Sequence, residues 1–239
     1  MTLAFDPPPV ADSLLARLDP RWRLAGLVVA AVAAALPRTI PAAAGACAGA
    51  LLLAGLARLP ARWVLRRYAA LALFLGPFIV LLPIIQGVEG VRLAVLVTLK
   101  GIAVMTIALV LLGTAPLPTT LHAAQRLRAP AVFVQIALLS YRYVFVLTDE
   151  LGRLRRALRV RGFRARPNRR TYRTAGHVVG TLLLRGAERA EGVARAMRCR
   201  AFDGRYRSLA EFRTRLADVV FFAIVAVATV AVAAGDLAR

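Results

Sequence analysis

The sequence predicts an all-α integral membrane protein, a helical bundle of about five transmembrane helices joined to long amphipathic helices on the cytoplasmic side. Three observations predict it. The hydrophobic fraction is 59% in 239 residues, the apolar residues fall into long runs, and the arginines lie mainly between or after those runs. A mean hydropathy of +0.67 is too high for a typical soluble domain of this size. The formal charge of +21 would mark a soluble chain as a nucleic-acid binder, but here the charge is segregated along the chain and forms no basic patch on a globule.

The apolar runs are Leu24 to Leu36, Ala42 to Ala57, Ala69 to Ile85, Leu93 to Gly113 and Val219 to Ala234. Each approaches the roughly 20 residues that cross a hydrocarbon core of about 30 Å, and several fall short of it. None shows period-2 alternation, so the prediction is helices and not an outer-membrane barrel. The first run follows Arg21 and Arg23 and ends in alanines, so it superficially resembles a cleaved signal peptide. Four apolar segments remain without it, and the membrane assignment stands either way. The two cysteines, Cys47 and Cys199, cannot form a disulfide framework and are expected never to meet.

Basic residues in short loops stay on the cytoplasmic side. Three places carry them: Arg17, Arg21 and Arg23; Arg58, Arg62, Arg66 and Arg67; and the stretch from Arg126 to Arg215. This puts the N-terminus inside, sends run three out toward a short loop containing Gln86 and Glu89, and returns run four inward. The segment Ala131 to Thr148 is apolar enough to cross but holds Gln135, Ser140, Tyr141, Arg142 and Tyr143. A crossing there would place the following arginines outside, so it is expected to lie along the cytoplasmic membrane surface. The resulting divisions are a transmembrane bundle at 1–113, an arginine-rich cytoplasmic region at 114–215 and a last transmembrane helix at 216–239. Lys100, the only lysine, sits within the fourth run. An intramembrane cation is by default a functional hypothesis, while the bland reading is that it snorkels or packs inside the bundle.

In the basic region, Leu147, Leu151, Leu154 and Leu158 recur at spacings of four, three and four, a narrow helical stripe. Gly162, directly after Arg161, is a helix stop, and Asp149 and Glu150 read as a helix start. A second segment repeats the design with Ala187, Ala190, Ala194 and Met197, small residues that let helices cross closely, and it ends in Arg200 and Ala201. Between them, Arg164 to Arg173, with Pro167 and Asn168, reads as a polar connection. Most of these arginines read as a solvated or lipid-headgroup-facing surface. Arg161 and Arg200 stand apart because each occupies the same place in a repeated pattern, and a guanidinium fork on a helix tip suits docking to a partner's carboxylates or helix carbonyls.

Chemistry-bearing motifs are missing. There is no G-x-x-x-x-G-K-[ST] to cradle a nucleotide, His122 and His177 lie far from any cysteine or carboxylate cluster, and no nucleophilic triad can be argued. The expectation is no catalytic residue and no metal site.

The residues LDPRWRL at Leu18 to Leu24, SYRYVFVLTDELGRLRRALRVRGF at Ser140 to Phe163 and LLLRGAERAEGVARAMRCRAFDGR at Leu182 to Arg205 resemble the transmembrane coupling component of energy-coupling-factor transporters, in particular the cobalt-type subunit called CbiQ. In that family each of two cytoplasmic coupling helices ends in an Ala-Arg-Gly motif whose arginine seats in an ATPase groove. The resemblance maps this motif onto Val160, Arg161 and Gly162, and onto Cys199, Arg200 and Ala201, with Ala201 standing where glycine is usual.

It implies a non-catalytic subunit of the bacterial cytoplasmic (inner) membrane. The implied partners are two cytoplasmic ATPase subunits, a membrane substrate-binding subunit, a small accessory membrane subunit and membrane lipid, with no nucleic acid. No cofactor is expected in this chain: ATP and magnesium belong to the ATPases, and the cobalt ion to the substrate-binding subunit, with nickel the close competitor. The alternatives are a self-contained carrier binding its substrate near Lys100 and a membrane-tethered nucleic-acid binder, against which the lack of aromatic stacking platforms counts.

Overall fold

The computed structural model describes residues 13, 15, 18–202, 204 and 214–237. Arg17 of the first basic cluster and Arg205, Arg207 and Arg213 of the last lie outside the described residues. All described elements are helices: α1 (Pro20–Ala35), α2 (Ile40–Leu56), α3 (Ala61–Thr114), α4 (Leu117–Arg126), α5 (Ala131–Val160), α6 (Arg169–Cys199) and α7 (Leu216–Leu237). Proline sets most of the starts. It occupies the first turn of α1, α2 and α4 and the N-cap of α3, α4 and α5, where its fixed φ suits the helix and its missing N–H costs nothing.

The chain divides into two compact units, one holding α1 to α4 and α7, the other holding α5 and α6. In the first, α3 is a helical hairpin in one continuous assignment. Gly87 has φ 61° and ψ −132°, a backbone open to glycine but not to L side chains, and it reverses the chain between limbs 61–86 and 88–114. Antiparallel contacts between the limbs prove the reversal: the Tyr68 and Thr106 hydroxyls hydrogen-bond at 2.6 Å, Leu75 lies against Gly101, and a Cβ on Gly90 would collide with the Leu82 carbonyl oxygen. Runs three and four are these two limbs, with Gln86 and Glu89 at the turn between them. Along the second limb Thr98, Thr106 and Thr114 each return their hydroxyl to the carbonyl four residues back, so these hydroxyls stay satisfied in an apolar surround.

Small residues bring the bundle together. On α1 the buried face is Arg23, Gly26, Leu27, Ala30 and Ala34, a helical repeat, and a Cβ at Gly26 would stand 3.3 Å from the Phe221 ring of α7. The core joins Leu27, Ala30 and Ala34 to Cys47 and Ala50 of α2, Ala103, Ile107 and Val110 of α3 and Val225 of α7. Leu27 is fully buried, and truncation to alanine there costs about 2–5 kcal/mol. Outward, the bundle shows large apolar side chains such as Leu52, Leu73 and Val88, as expected where the surround is lipid.

Two hydrogen-bond networks, one buried around Asp218 and one at the surface around Asp236, tie α7 to the rest of this unit. Asp19 caps α1 through the Arg21 amide, and its own N–H donates to Asp218 Oδ1 at 2.8 Å, while Asp218 Oδ2 accepts the Arg215 amide at 2.6 Å. Asp218 therefore supplies the acidic half of a capping box for α7 and at the same time anchors α1. Beside it, the buried Arg23 donates to the Leu15 and Thr114 carbonyls at 2.9 and 3.2 Å. At the far end of α7, Asp236 accepts from the Arg38 and Thr39 amides and the Thr39 hydroxyl, closing the start of α2.

Among the described residues, α3 and α5 are long and apolar enough to cross a membrane, and α2 and α7 are apolar but shorter. Each limb of α3 is itself about 39 Å long at 1.5 Å per residue, more than a hydrocarbon core requires. The architecture is that of a helical membrane protein.

Candidate docking site on the arm unit

In the second unit, α5 runs unbroken from Ala131 to Val160. This corrects the reading of Asp149 and Glu150 as a helix start. They lie in its interior, and Glu150 is held there by Arg153 one turn on, at 3.2 Å, and by Arg185 of α6. Two cations on one carboxylate offset the loss of any dipole advantage.

Both arms end alike. At the tip of α5 the Phe163 amide donates to the Leu158 carbonyl at 3.0 Å and the Gly162 amide to Arg159 at 3.0 Å; at the tip of α6 the Phe202 amide donates to Met197 at 3.1 Å and the Ala201 amide to Arg198 at 3.0 Å. This is one Schellman motif formed twice, with an arginine as C-cap, a left-handed residue after it and a phenylalanine closing the turn. Gly162 has φ 72° and Ala201 φ 52°. The alanine therefore takes the turn that glycine takes, at a steric cost of about 1–2 kcal/mol.

Arg161 and Arg200 are exposed, as are Val160, Gly162, Cys199 and Ala201. On α5, Leu151, Leu154 and Leu158 are half-buried. On α6, Met197 is half-buried while Ala187, Ala190 and Ala194 are exposed. Ala190, Ala194 and Met197 line an apolar groove of about 540 Å³ whose opposite wall includes Leu139, Tyr143 and Leu147 of α5. Gly186 lines the same groove beside Leu147, and a Cβ added to it would stand 4.0 Å from the Leu147 side chain. The sequence pattern did not single out Gly186, Glu150 and Arg185 as partners; the signal available was a glycine beside a lone arginine opposite the interior acids. Between Glu150 and Glu188 the chain carries eleven arginines and no acid, so the surface of this unit is strongly cationic.

No group of three or more His, Cys, Asp and Glu that could hold a metal occurs among the described residues. Cys47 is buried in the bundle unit and Cys199 is exposed at the α6 tip, both as free thiols. Lys100 is half-buried on the second limb of α3.

The all-helical fold with its long apolar helices defines a class, a helical membrane protein. The family model described as cobalt transport protein, CbiQ, matches residues 11–211, and the chain belongs to that family. It is 32% identical over 190 residues to the cobalt transport protein CbiQ of Rhodobacter capsulatus, covering 75% of this chain and 77% of that one. Two uncharacterized proteins of Methanocaldococcus jannaschii are also similar, one 22% identical over 231 residues (88% of this chain, 78% of its own) and the other 27% identical over 121 residues (51% and 45%).

Proposed function

We propose that this chain is the transmembrane coupling subunit of an energy-coupling-factor transporter for cobalt uptake. Five crossings in the bacterial cytoplasmic membrane carry an arm unit on the cytoplasmic side, and Arg161 and Arg200 dock into two ATPase subunits that supply the ATP and magnesium chemistry. A separate membrane subunit holds the cobalt ion. The observation that carries the reading is the twofold repetition of one tip geometry, C-cap arginine, left-handed residue and phenylalanine, at the ends of two touching helices. Two identical motors require two matching contacts, and a guanidinium on a helix end is a rigid, permanently charged one.

The test is co-purification from detergent. Wild-type chain retains the ATPase pair; Arg161→Glu with Arg200→Glu loses it and abolishes cobalt uptake. Full retention with normal uptake in that double variant overturns the reading. Competition between cobalt and nickel in the same uptake assay identifies the ion.

A further inference from the structure

Resting on that coupling reading, we infer that Glu150 and Arg185 form the pivot pin of the two arms, a positioning pair that keeps α5 and α6 in contact while the angle between them changes. The pair sits at the point where the helices meet. Leu147 stands fourteen residues before Arg161, and its contact Gly186 stands fourteen residues before Arg200. At 1.5 Å per residue each tip is about 21 Å from that contact, and the pair stands beside it, about 16 Å from the α5 tip and about 22 Å from the α6 tip, so the two levers are of comparable length.

Its surroundings distinguish a pivot from an ordinary packed crossing. No residue of α6 is fully buried, and on α5 only Val134 is. Open clefts flank the contact: one of about 420 Å³ lined by Val146, Leu147, Glu150, Arg185, Glu188 and Arg189, the other the apolar groove already described. Interlocked side chains would fix one crossing angle, since packed ridges and grooves have discrete fits. Gly186 offers no Cβ to interlock. Coulomb attraction between two charges depends on their separation and varies little with the angle between the helices that bear them, so an ion pair retains the contact through a rotation.

The assignment of atoms supports this role. Glu150 is the least exposed member, its side chain 15% accessible against 53% for Arg185 and 63% for Arg153. Arg153 binds Oε2 from the same helix, which leaves Oε1 directed at Arg185. One oxygen is thus held by the helix that bears it while the other reaches across.

The experiment uses the assembled transporter and the full-length chain. Glu150→Gln and Arg185→Gln each keep side-chain length and remove the attraction. Each is expected to leave ATPase co-purification at the wild-type level, because the tips are untouched, and to lower cobalt uptake per ATP hydrolysed by about fivefold or more, the lower end of a coupling free energy. In an Arg153→Gln background, which removes the neighbour that would repel a cation at 150, the exchange Glu150→Arg with Arg185→Glu restores at least half of the lost ratio.

A second readout needs no ATPase: spin labels on Cys199 and on Arg164→Cys, in a Cys47→Ala chain, report the separation of the tips in detergent. The pin predicts a distance distribution that broadens in either single variant and narrows again in the exchange. An unchanged uptake ratio in both single variants, or an exchange that restores neither ratio nor distribution, overturns the proposal. Loss of ATPase binding only in the tip-arginine variants bears on the coupling reading, and the spin-label distances remain readable whichever way that falls.

Discussion

Ala201 holds at the end of α6 the left-handed backbone position that Gly162 holds at the end of α5. The same two hydrogen bonds close each turn, so the tip geometry is fixed by the motif and not by glycine. The side chain of Ala201 is strained there, and nothing lies within 4 Å of a Cβ at Gly162. Ala201→Gly should therefore tighten the α6 tip by about 1 kcal/mol and Gly162→Ala loosen the α5 tip by a similar amount. Hydrogen exchange of the Phe202 and Phe163 amides measures both, with slower exchange expected in the first variant and faster in the second.

Asp218 joins the starts of α7 and α1 by accepting two amide hydrogen bonds, the one from Asp19 buried and the one from Arg215 part-buried. Asp218→Ala strands the Asp19 and Arg215 amides and should cost about 3 kcal/mol, the scale of a lost hydrogen bond to a charged group. Arg23→Met strands the Leu15 and Thr114 carbonyls and should cost about as much. Thermal unfolding of the detergent-purified chain reads both losses, and Asp218→Asn should lie between Asp218→Ala and wild type.

The reversal of α3 admits no side chain at two positions. Gly87→Ala forces a Cβ into the left-handed half of the map at about 1–3 kcal/mol, and Gly90→Ala drives one into the Leu82 backbone, which cannot yield as a flexible side chain would. Gly90→Ala should be the more damaging. Gly76→Ala on the first limb, where a Cβ meets nothing within 4 Å, should be silent. Yield of folded chain by size exclusion separates the three.

The Thr39 hydroxyl and the Arg38 and Thr39 amides all donate to the Asp236 carboxylate, a charge-assisted cap on the start of α2. Asp236→Asn should weaken that cap and speed exchange of the Arg38 and Thr39 amides at pH 7. Equal protection in wild type and variant at pH 7 would count against the cap.

Much of the bundle is legible in the order of its residues. Pro20, Pro41, Pro60, Pro116 and Pro130 stand at five of the seven described helix starts, the turn near Gln86 and Glu89 falls between two apolar runs, and Arg161 and Arg200 stand at helix ends. Continuity is harder to read. The acids at 149 and 150 look like the beginning of a helix because local preference favours them there, and only the long-range partner Arg185 shows why the helix runs through them. The alanine stripe on α6 is legible from its spacing, whereas the place of Gly186 beside Leu147 on the groove that Ala190, Ala194 and Met197 also line depends on how the two helices are set against each other.

Local signals settle the class of protein, the positions of the apolar helices and the two basic tips, because hydropathy, proline and helix stops act over a few neighbouring residues. It takes the packed molecule to establish that Asp218 anchors a helix start 199 positions away, that Gly87 folds α3 back on itself, and that Glu150 meets Arg185. Such pairs depend on the placement of whole helices, which many distant contacts fix at once, and one carboxylate among so many arginines carries no local mark of which one it will bind.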